Sequence, residues 1–243
     1  MKRSEFIQAA GIGVAGYSLF GLTSGAYASE LEGEYQLNAH FVHKGPGLGK
    51  RICLTYDDGP TPGVTDKVLN ELDKRDIKAT FFMIGRKVKQ YASLAKEVAA
   101  AGHEVANHTY THPVLSKLSS QRVSSELDQC QKVIEDIIGS TPVWFRPPYG
   151  AFRTNQGAIP RGKHLGVAYW SVDPRDWARP GVSTIVRKIT QGTRPGSIIL
   201  LHDLHHQTAQ ATGPVLDQLL DRHFSFTPMS GFLGDPYGTY YKS

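Results

Sequence analysis

Cysteine is scarce in this chain, and its shortage excludes several classes of protein. The 243 residues contain only two cysteines, Cys53 and Cys130, too few for a disulfide-stapled scaffold or a closed structural zinc site. Cys53 falls in an apolar strand-like run and Cys130 on the apolar face of a predicted helix. We therefore predict two buried, unpaired thiols, with a disulfide between them as the less favoured alternative.

Runs of like charge are also absent, as are internal repeats and low-complexity linkers. The net charge is +5, and lysine and arginine are scattered without a nucleic-acid-binding motif, so we expect no nucleic-acid partner. With 40% hydrophobic residues, the chain is long enough to bury one sizeable core. We predict one domain over residues 51–243, preceded by an irregular lead-in over residues 29–50, and we expect a monomer.

The N-terminus has the pattern of an export signal. A basic start at Lys2 and Arg3 is followed by a mostly apolar run, Phe6–Leu22, and by the small-residue site Ala26-Tyr27-Ala28. The run is short and glycine-rich for a membrane span. We expect a signal peptide over residues 1–28, cleavage after Ala28, an exported chain and no stable span afterwards; an uncleaved anchor is the alternative.

Strand-like and helix-like patterns alternate from Arg51 onward. Short apolar runs predict strands at Ile52–Tyr56, Ala79–Ile84, Glu104–Asn107, Val143–Arg146, Val167–Ser171, Ser197–His202 and Phe224–Phe226. Amphipathic spacing predicts helices at Thr65–Arg75, Val88–Ala101, Ser183–Gln191 and Thr212–Arg222, and one that starts after the N-cap Ser119 and stops at Gly139. Pro147–Lys163 is predicted to be a loop. This alternation predicts an α/β fold, a distorted, incomplete (β/α) barrel with about seven parallel strands.

Polar residues follow five of the predicted strands, at the point where each strand ends. They are Asp57 and Asp58, His108 and His112, Arg146 to Tyr149, Asp173 with Asp176 and Trp177, and His202 with Asp203. In a (β/α) barrel these positions meet at the C-terminal rim, where active sites of this architecture lie. The sequence therefore predicts an active site at this rim.

Two features of these segments are typical of a catalytic metal site. Adjacent carboxylates such as Asp57 and Asp58 repel each other unless water or a cation compensates them. His108 and His112 are four residues apart, which lets both imidazoles reach one ion. With one carboxylate of the Asp57–Asp58 pair they form a two-histidine, one-carboxylate ligand set for one divalent metal ion, zinc or a similar one such as cobalt. The alternatives are a solvated turn and structural histidines.

Together the segments resemble the polysaccharide deacetylases with a NodB-like domain, carbohydrate esterase family four. The resemblance spans roughly Arg51 to Phe226. Its five ordered motifs are Thr55-Tyr56-Asp57-Asp58-Gly59-Pro60, His108-Thr109-Tyr110-Thr111-His112, Arg146-Pro147-Pro148-Tyr149-Gly150, Asp173-Pro174-Arg175-Asp176-Trp177 and Leu200-Leu201-His202-Asp203. Tyr56 stands where the family usually has phenylalanine, and Pro174 is a further departure.

The resemblance implies a role for each polar residue of the first motifs. It implies that Asp58, His108 and His112 are the metal ligands. Asp57 is implied to be the general base that activates water, with Arg146 keeping it ionised and oriented.

The remaining motifs imply the rest of the site. The backbone N–H of Tyr149 is implied to donate to the oxyanion. His202 is implied to be the general acid, with Asp176 tuning it. Trp177 and Leu200 resemble the apolar walls of the pocket for the acetyl methyl group.

The implied activity is the metal-dependent removal of N-acetyl groups from an acetylated polysaccharide outside the cytoplasm. Peptidoglycan, chitin-type oligomers and exopolysaccharide stay open as substrates containing N-acetylglucosamine. Two alternatives also stay open. One is a hydrolase of the same fold that acts on a non-sugar amide or on O-acetyl esters of a glycan such as xylan. The other is a catalytically silent carbohydrate-binding domain on the same fold.

Overall fold

Short strands and helices alternate along residues 41–236, the part of the chain that the computed structural model describes. The strands of this part are β1 Phe41–Val42, β2 Arg51–Asp57, β3 Thr80–Met83, β4 Glu104–Asn107, β5 Trp144–Phe145, β6 Gly166–Ala168, β7 Ile198–His202 and β8 Ser225–Phe226. Its α-helices are α1 Thr65–Asp73, α2 Gly85–Gln90, α3 Ala92–Ala100, α4 Ser120–Ile138, α5 Ala158–Arg161, α6 Val182–Gly192, α7 His206–Asp221 and α8 Met229–Leu233. The predicted signal peptide and its cleavage site lie outside the described residues.

Seven strands pair in parallel in the order β1-β6-β5-β4-β3-β2-β7, and β8 adds to the start of β2. The sheet curls into a half-barrel with helices on its outside, so the predicted incomplete (β/α) barrel is confirmed. Because the strands are parallel, all their carboxyl ends lie on one rim. β2 lies between β3 and β7, and Asp57 is opposite His202 in register.

Side chains of β2 alternate between two sides of the sheet, as period-two strand geometry requires. Ile52, Leu54 and Tyr56 belong to the large core cluster between the sheet and the outer helices. Cys53 belongs to a second cluster, with Trp144 and Phe82 among its members, which fills the inside of the barrel. The hydroxyl of Tyr56 lies 3.1 Å from the Thr212 hydroxyl, so its extra polar group, compared with phenylalanine, has a buried partner.

Helix α8 covers the end of the barrel opposite the active-site rim. Met229 and Phe232 of this helix pack into the inner cluster. Glu104, at the start of β4, accepts hydrogen bonds from the Thr80 hydroxyl at 2.8 Å and from the Ser230 N–H at 3.1 Å. These bonds attach the C-terminal helix to the first residues of two central strands.

Helix α4 begins and ends as its sequence predicts. The Ser119 side chain accepts a hydrogen bond from the Arg122 N–H, and Gly139 ends the helix with φ 83°.

Cys53 and Cys130 are both buried, free thiols, the first in strand β2 and the second in helix α4. No helix within residues 41–236 combines the length and the apolar character that a membrane crossing needs.

Five predicted elements differ from the structure. The strand predicted at Val167–Ser171 ends at Ala168. The predicted helix Val88–Ala101 is two helices, because Tyr91 leaves the helical region with φ −118° and ψ 48°. The helix predicted at Thr212–Arg222 begins six residues earlier, at His206, and contains Pro214. The predicted loop Pro147–Lys163 contains two 3-10 turns and α5. Within the predicted irregular lead-in, Phe41–Val42 pairs with β6 at the edge of the sheet.

Candidate active site

One cleft at the carboxyl ends of the strands collects most of the predicted site. It has a volume of about 390 Å³ and is lined by eight of the ten predicted site residues: Asp57, Asp58, His108, His112, Tyr149, Trp177, Leu200 and His202. The other two, Arg146 and Asp176, are fully buried behind it and contact Asp57 and His202 respectively. Pro147, Trp170 and Asp173 complete the lining.

Asp58, His108 and His112 form a compact cluster. Asp58 Oδ1 lies 3.3 Å from His108 Nε2 and 3.0 Å from His112 Nε2. All three ligand atoms lie within 4.8 Å of one another. Within residues 41–236, no other group of three histidine, cysteine or acidic side chains is close enough to hold one metal ion. Two imidazole nitrogens and a carboxylate oxygen are a ligand set that zinc and related divalent metals accept, with positions left for water or substrate.

The hydrogen bonds around the cluster fit a cation. His108 Nδ1 donates to the Arg146 carbonyl at 2.7 Å, so its Nε2 faces Asp58 with a lone pair. Asp58 Oδ1 is buried and has no hydrogen-bond partner among the described residues. Acceptors that face each other in a buried site need a proton or a cation between them. The three residues therefore fit a divalent metal ion.

Asp57 lies between this cluster and a buried arginine, with Oδ1 toward Arg146 and Oδ2 3.7 Å from His108 Nε2. Arg146 Nη1 donates to Asp57 Oδ1 at 2.6 Å and to the Thr55 hydroxyl at 2.8 Å. Nη2 donates to the Tyr169 carbonyl, and the guanidinium lies 4.1 Å from the centre of the Phe82 ring. A guanidinium fixed by this many partners holds the Asp57 carboxylate in one orientation.

His202 and Asp176 form a second ion pair at the cleft, after that of Arg146 and Asp57. His202 Nδ1 lies 2.8 Å from Asp176 Oδ1, and the His202 backbone N–H donates to Asp176 Oδ2 at 2.8 Å. The Thr208 hydroxyl also donates to Asp176 Oδ2, at 2.7 Å. Burial alone lowers the pKa of His202, but Asp176, followed by the charges of Asp57 and Asp58, raises it to about 9. The imidazole is therefore a cation at neutral pH.

Several rim residues adopt backbone conformations that are uncommon for residues with a side chain. Asp58 has φ 74°, Thr109 φ 66°, His112 φ 64° and Tyr149 φ 60°. The Tyr149 side chain is 68% exposed, and its ring meets that of His112 edge-on at 4.7 Å. Asp58, His112 and Tyr149 line the cleft, and the left-handed backbone turns their side chains toward it in a way that a regular strand or helix would not.

Trp177 and Leu200 are among the apolar residues that line the cleft. Leu200 is buried in β7, and Trp177, in a 3-10 turn, is 46% exposed with the Arg175 guanidinium 5.0 Å from its ring centre. The sequence prediction missed Trp170, which lies two residues beyond β6 and therefore at the same rim. The predicted strand ran to Ser171 and so placed Trp170 inside the strand, and no sequence signal showed that the strand ends at Ala168.

A larger open groove lies elsewhere, between α6 and α7. It has a volume of about 780 Å³ and is lined by Val182, Ser183, Val186, Arg187, Thr190, Gln191, Pro214 and Gln218. This lining contains no carboxylate, imidazole or thiol. Of these two, the smaller cleft is the one whose lining carries carboxylates and imidazoles.

The fold and the site agree with one class of protein, the polysaccharide deacetylases. The agreement rests on the incomplete parallel barrel, the two-histidine, one-aspartate cluster and the two buried ion pairs at one rim. The polysaccharide deacetylase family model matches residues 44–170, and the chain belongs to this family.

Curated relatives and solved structures agree with this membership. The chain is 38% identical over 186 residues to the peptidoglycan-N-acetylglucosamine deacetylase PgdA of Listeria monocytogenes, an alignment that covers 76% of this chain and 39% of PgdA. It is 38% identical over 192 residues to a chitooligosaccharide deacetylase of Rhizobium leguminosarum bv. trifolii, an alignment that covers 72% of this chain and 88% of that relative. A CE4 family pseudoenzyme from Bacillus anthracis superposes with a TM-score of 0.77 at 30% identity, covering 80% of this chain and 69% of that one. The chain thus spans about two fifths of PgdA's length.

Proposed function

We propose that this protein is a metal-dependent deacetylase that hydrolyses N-acetyl groups on a polysaccharide containing N-acetylglucosamine. The single observation that carries the proposal is that the two adjacent aspartates of one cleft have different partners. Asp58 faces two imidazoles, while its neighbour Asp57 pairs with buried Arg146 and lies opposite the cationic His202 in register. Together these residues supply the proposed metal site, the proposed base and the proposed acid in the lining of one cleft.

Asp58, His108 and His112 are proposed to hold one divalent ion, which we take to be zinc. When bound, such an ion polarises a carbonyl group and lowers the pKa of a coordinated water. The buried hydrogen bond from His108 Nδ1 to the Arg146 carbonyl orients that imidazole for binding. His112→Ala should lower the zinc content measured by elemental analysis; unchanged content would contradict this ligand set.

Asp57 is proposed to act as the general base. Its Oδ1 is engaged by Arg146 at 2.6 Å, whereas its Oδ2 lies 3.7 Å from His108 Nε2, on the side of the metal cluster. This second oxygen is placed to take a proton from a water attacking the acetyl carbonyl. Arg146 holds the carboxylate in one orientation, so that Oδ2 stays on the side of the metal cluster.

His202 is proposed to act as the general acid. An amine leaves an amide poorly unless it is protonated as the bond breaks, so a proton donor must reach its nitrogen. His202 Nδ1 is held by Asp176, which leaves Nε2–H as the donor on the other side of the ring. The Tyr149 N–H is proposed to donate to the oxyanion, and Trp177 and Leu200 to enclose the acetyl methyl group.

The substrate proposal draws on the names of the relatives. One acts on peptidoglycan N-acetylglucosamine and another on chitooligosaccharides. Polymers of this kind lie outside the cytoplasm, which agrees with a cleaved signal over residues 1–28; we propose an exported monomer. N-terminal sequencing of the secreted protein should begin at Ser29, and a sequence beginning at Met1 would contradict cleavage.

Two other functions are tested by the same experiment. Similarity to a CE4 family pseudoenzyme makes a silent glycan-binding domain a specific alternative. An O-acetyl esterase would use the same acid and base. The zinc-loaded protein is incubated with N-acetylglucosamine oligomers, peptidoglycan fragments and acetylated xylan, and the products are analysed by mass spectrometry. Loss of acetyl groups from either amide substrate supports the proposal; loss from xylan alone identifies an esterase, and no loss identifies a silent domain.

A further inference from the structure

Asp203 is a buried carboxylate for which the proposed chemistry has no role. It follows β7, one residue beyond His202, and is fully buried. Its Oδ2 accepts a hydrogen bond from the Thr65 hydroxyl at 2.5 Å, while Oδ1 has no hydrogen-bond partner among the described residues. A buried carboxylate with so few partners is costly to keep. Its surroundings therefore indicate what it does there.

The carboxylate lies against the turn that follows Asp58. A Cβ atom added at Gly59 would lie 2.1 Å from Asp203 Oδ2, so the carboxylate occupies the space beside the Gly59 backbone. The Thr65 hydroxyl that donates to Asp203 also accepts from the Thr61 N–H, at 2.7 Å. A chain of two hydrogen bonds thus runs from the far end of the turn, through Thr65, to Asp203.

The near end of the same turn carries Asp58. Its φ of 74° lies in the left-handed region, which is uncommon for a residue with a side chain and is favoured here by contacts of the turn. The Asp58 N–H donates to the Phe82 carbonyl at 3.2 Å, and the Asp203 N–H donates to the Asp57 carbonyl at 3.3 Å. The side chain and backbone of Asp203 therefore contact this segment on both sides of Asp58.

We propose that Asp203 is a positioning residue: together with Thr65 it holds the turn from Asp58 to Thr61 so that Asp58 Oδ1 faces His108 and His112. The proposal rests on the metal site of the proposed function. Residues that orient a metal ligand in this way typically change metal affinity by about 10–100-fold when they are removed. Asp203 also links the ends of β2 and β7, the strands that carry the proposed base and acid.

The first test is zinc affinity, measured by competition with a chromophoric chelator. Asp203→Ala removes the carboxylate, and Thr65→Val removes the bridging hydroxyl while keeping the shape of the side chain. Both should weaken zinc binding by about 10–100-fold. Thr65→Ser keeps the hydroxyl and should restore affinity to within about threefold of the wild type, which general destabilisation would not do.

Glu104→Gln is the matched control. Glu104 is a second mostly buried carboxylate that accepts from a threonine hydroxyl, but it lies at the opposite end of the barrel. Its removal should lower the temperature of unfolding and leave zinc affinity unchanged. An equal loss of affinity in Glu104→Gln would overturn the proposal, because the effect would then come from destabilisation.

A second measurement does not depend on metal. In the metal-free protein, amide hydrogen exchange at Asp58 and Thr61 should be about tenfold or more faster in Thr65→Val than in the wild type, because the turn loses its hydrogen-bonded support. Folded Thr65→Val and Asp203→Ala proteins with unchanged exchange and zinc affinity would overturn the proposal. If the wild type binds no zinc but exchange accelerates as expected, the metal assignment fails and the positioning of the turn stands.

Discussion

Asp57 and Asp58 are neighbours in sequence with different surroundings. Asp57 ends β2 on the side that faces Arg146, and Asp58 turns toward His108 and His112 because its backbone enters the left-handed region. The family resemblance implied this division, whereas residue spacing alone left open which of the two carboxylates faces the histidines. The φ angle that produces it, and the buried position of Asp203 beneath the turn, depend on contacts between distant segments and leave no local pattern.

Removing the proposed base or acid should abolish most of the activity without unfolding the protein. Asp57→Asn keeps the shape of the side chain but cannot take a proton, and His202→Ala removes the proton donor. Each change should lower kcat for deacetylation by about 10²–10⁴-fold. The measurement is acetate release at saturating zinc, with circular dichroism to check the fold.

His206→Ala is the control for this prediction. His206 is an exposed histidine four residues after His202, and it does not line the cleft. Its replacement should leave kcat unchanged. Near-wild-type turnover in purified Asp57→Asn or His202→Ala would remove those residues from the mechanism.

Asp176 should set the alkaline limit of the reaction. It raises the pKa of His202 to about 9, so the imidazolium persists at neutral pH and loses its proton as the pH rises through that value. Asp176→Asn keeps the shape but removes the charge, so the pKa of His202 should fall. The alkaline limb of the kcat profile should then move to lower pH.

The control for the pH profile is Asp173→Asn, which neutralises an exposed carboxylate of the same cleft. Its alkaline limb should stay close to that of the wild type. If Asp176→Asn also leaves the limb in place, His202 does not titrate as the proposed acid.

At the scale of helices and strands, local signals predicted most elements but not all boundaries. The N-cap Ser119 and the C-terminal Gly139 fixed α4, since both act within one turn of the helix. The break at Tyr91 carries no proline or glycine, so hydrophobic spacing alone read α2 and α3 as one helix. β1 has two residues and pairs with a strand more than 120 positions away, at Val167 and Ala168, which periodicity cannot detect.

Helix α2 approaches α4 so closely that a methyl group should not fit at their contact. A Cβ at Gly85 would lie 2.7 Å from Tyr110 Cδ2 and 3.0 Å from Cys130 Cα, and a backbone atom of a helix cannot easily move. Gly85→Ala should therefore lower the free energy of unfolding by about 1–3 kcal/mol. Urea denaturation measures the change.

Gly162→Ala is the matched glycine replacement. Gly162 has φ −64°, and a Cβ added there would lie 3.4 Å from the Ala158 carbonyl oxygen, an ordinary contact. This change should be neutral or stabilise the protein by about 0.4–1 kcal/mol, because alanine restricts the unfolded chain. A Gly85→Ala protein as stable as Gly162→Ala would show that the helices can separate without cost.

At the scale of the whole molecule, parallel strand order predicted the rim and therefore the cleft. Residues that follow different strands were expected to converge, and the ten predicted site residues do lie in the cleft or directly behind it. Trp170 was missed because the predicted strand Val167–Ser171 included it, whereas the strand ends at Ala168. The attachment of α8 to the opposite end depends on Glu104 and Ser230, far apart in sequence, and could not be predicted.

The stability of the whole fold should depend on pH through His103. This side chain is buried, its Nδ1 accepts the Ala79 N–H at 3.2 Å, and burial, aided by the charge of Lys78, lowers its pKa from 6.5 to about 4. The unfolded chain therefore binds the proton first. The stability gained is fully present above pH 6.5 and is lost as the pH falls toward 4.

His103→Asn tests this dependence, because its amide oxygen can still accept the Ala79 N–H. The free energy of unfolding should decrease less between pH 6.5 and 4.5 in this variant than in the wild type. The comparison must be made between variants, since burial raises the pKa of Asp203 to about 7 and gives that group the opposite sign. Equal slopes in the two proteins would exclude His103 as the source.

The positive φ angles of the rim have a consequence for thermostability engineering. Among the described residues, six non-glycine residues in the segments that follow the strands have them: Asp58, Thr109, His112, Tyr149, Arg175 and Arg179. Each costs about 1 kcal/mol or more relative to glycine, so heat tolerance could be gained there by glycine replacements. Such gains would free the segments that fix the site's geometry. Heat tolerance is better sought at the α8 end of the barrel, where a stronger fold leaves the rim unchanged.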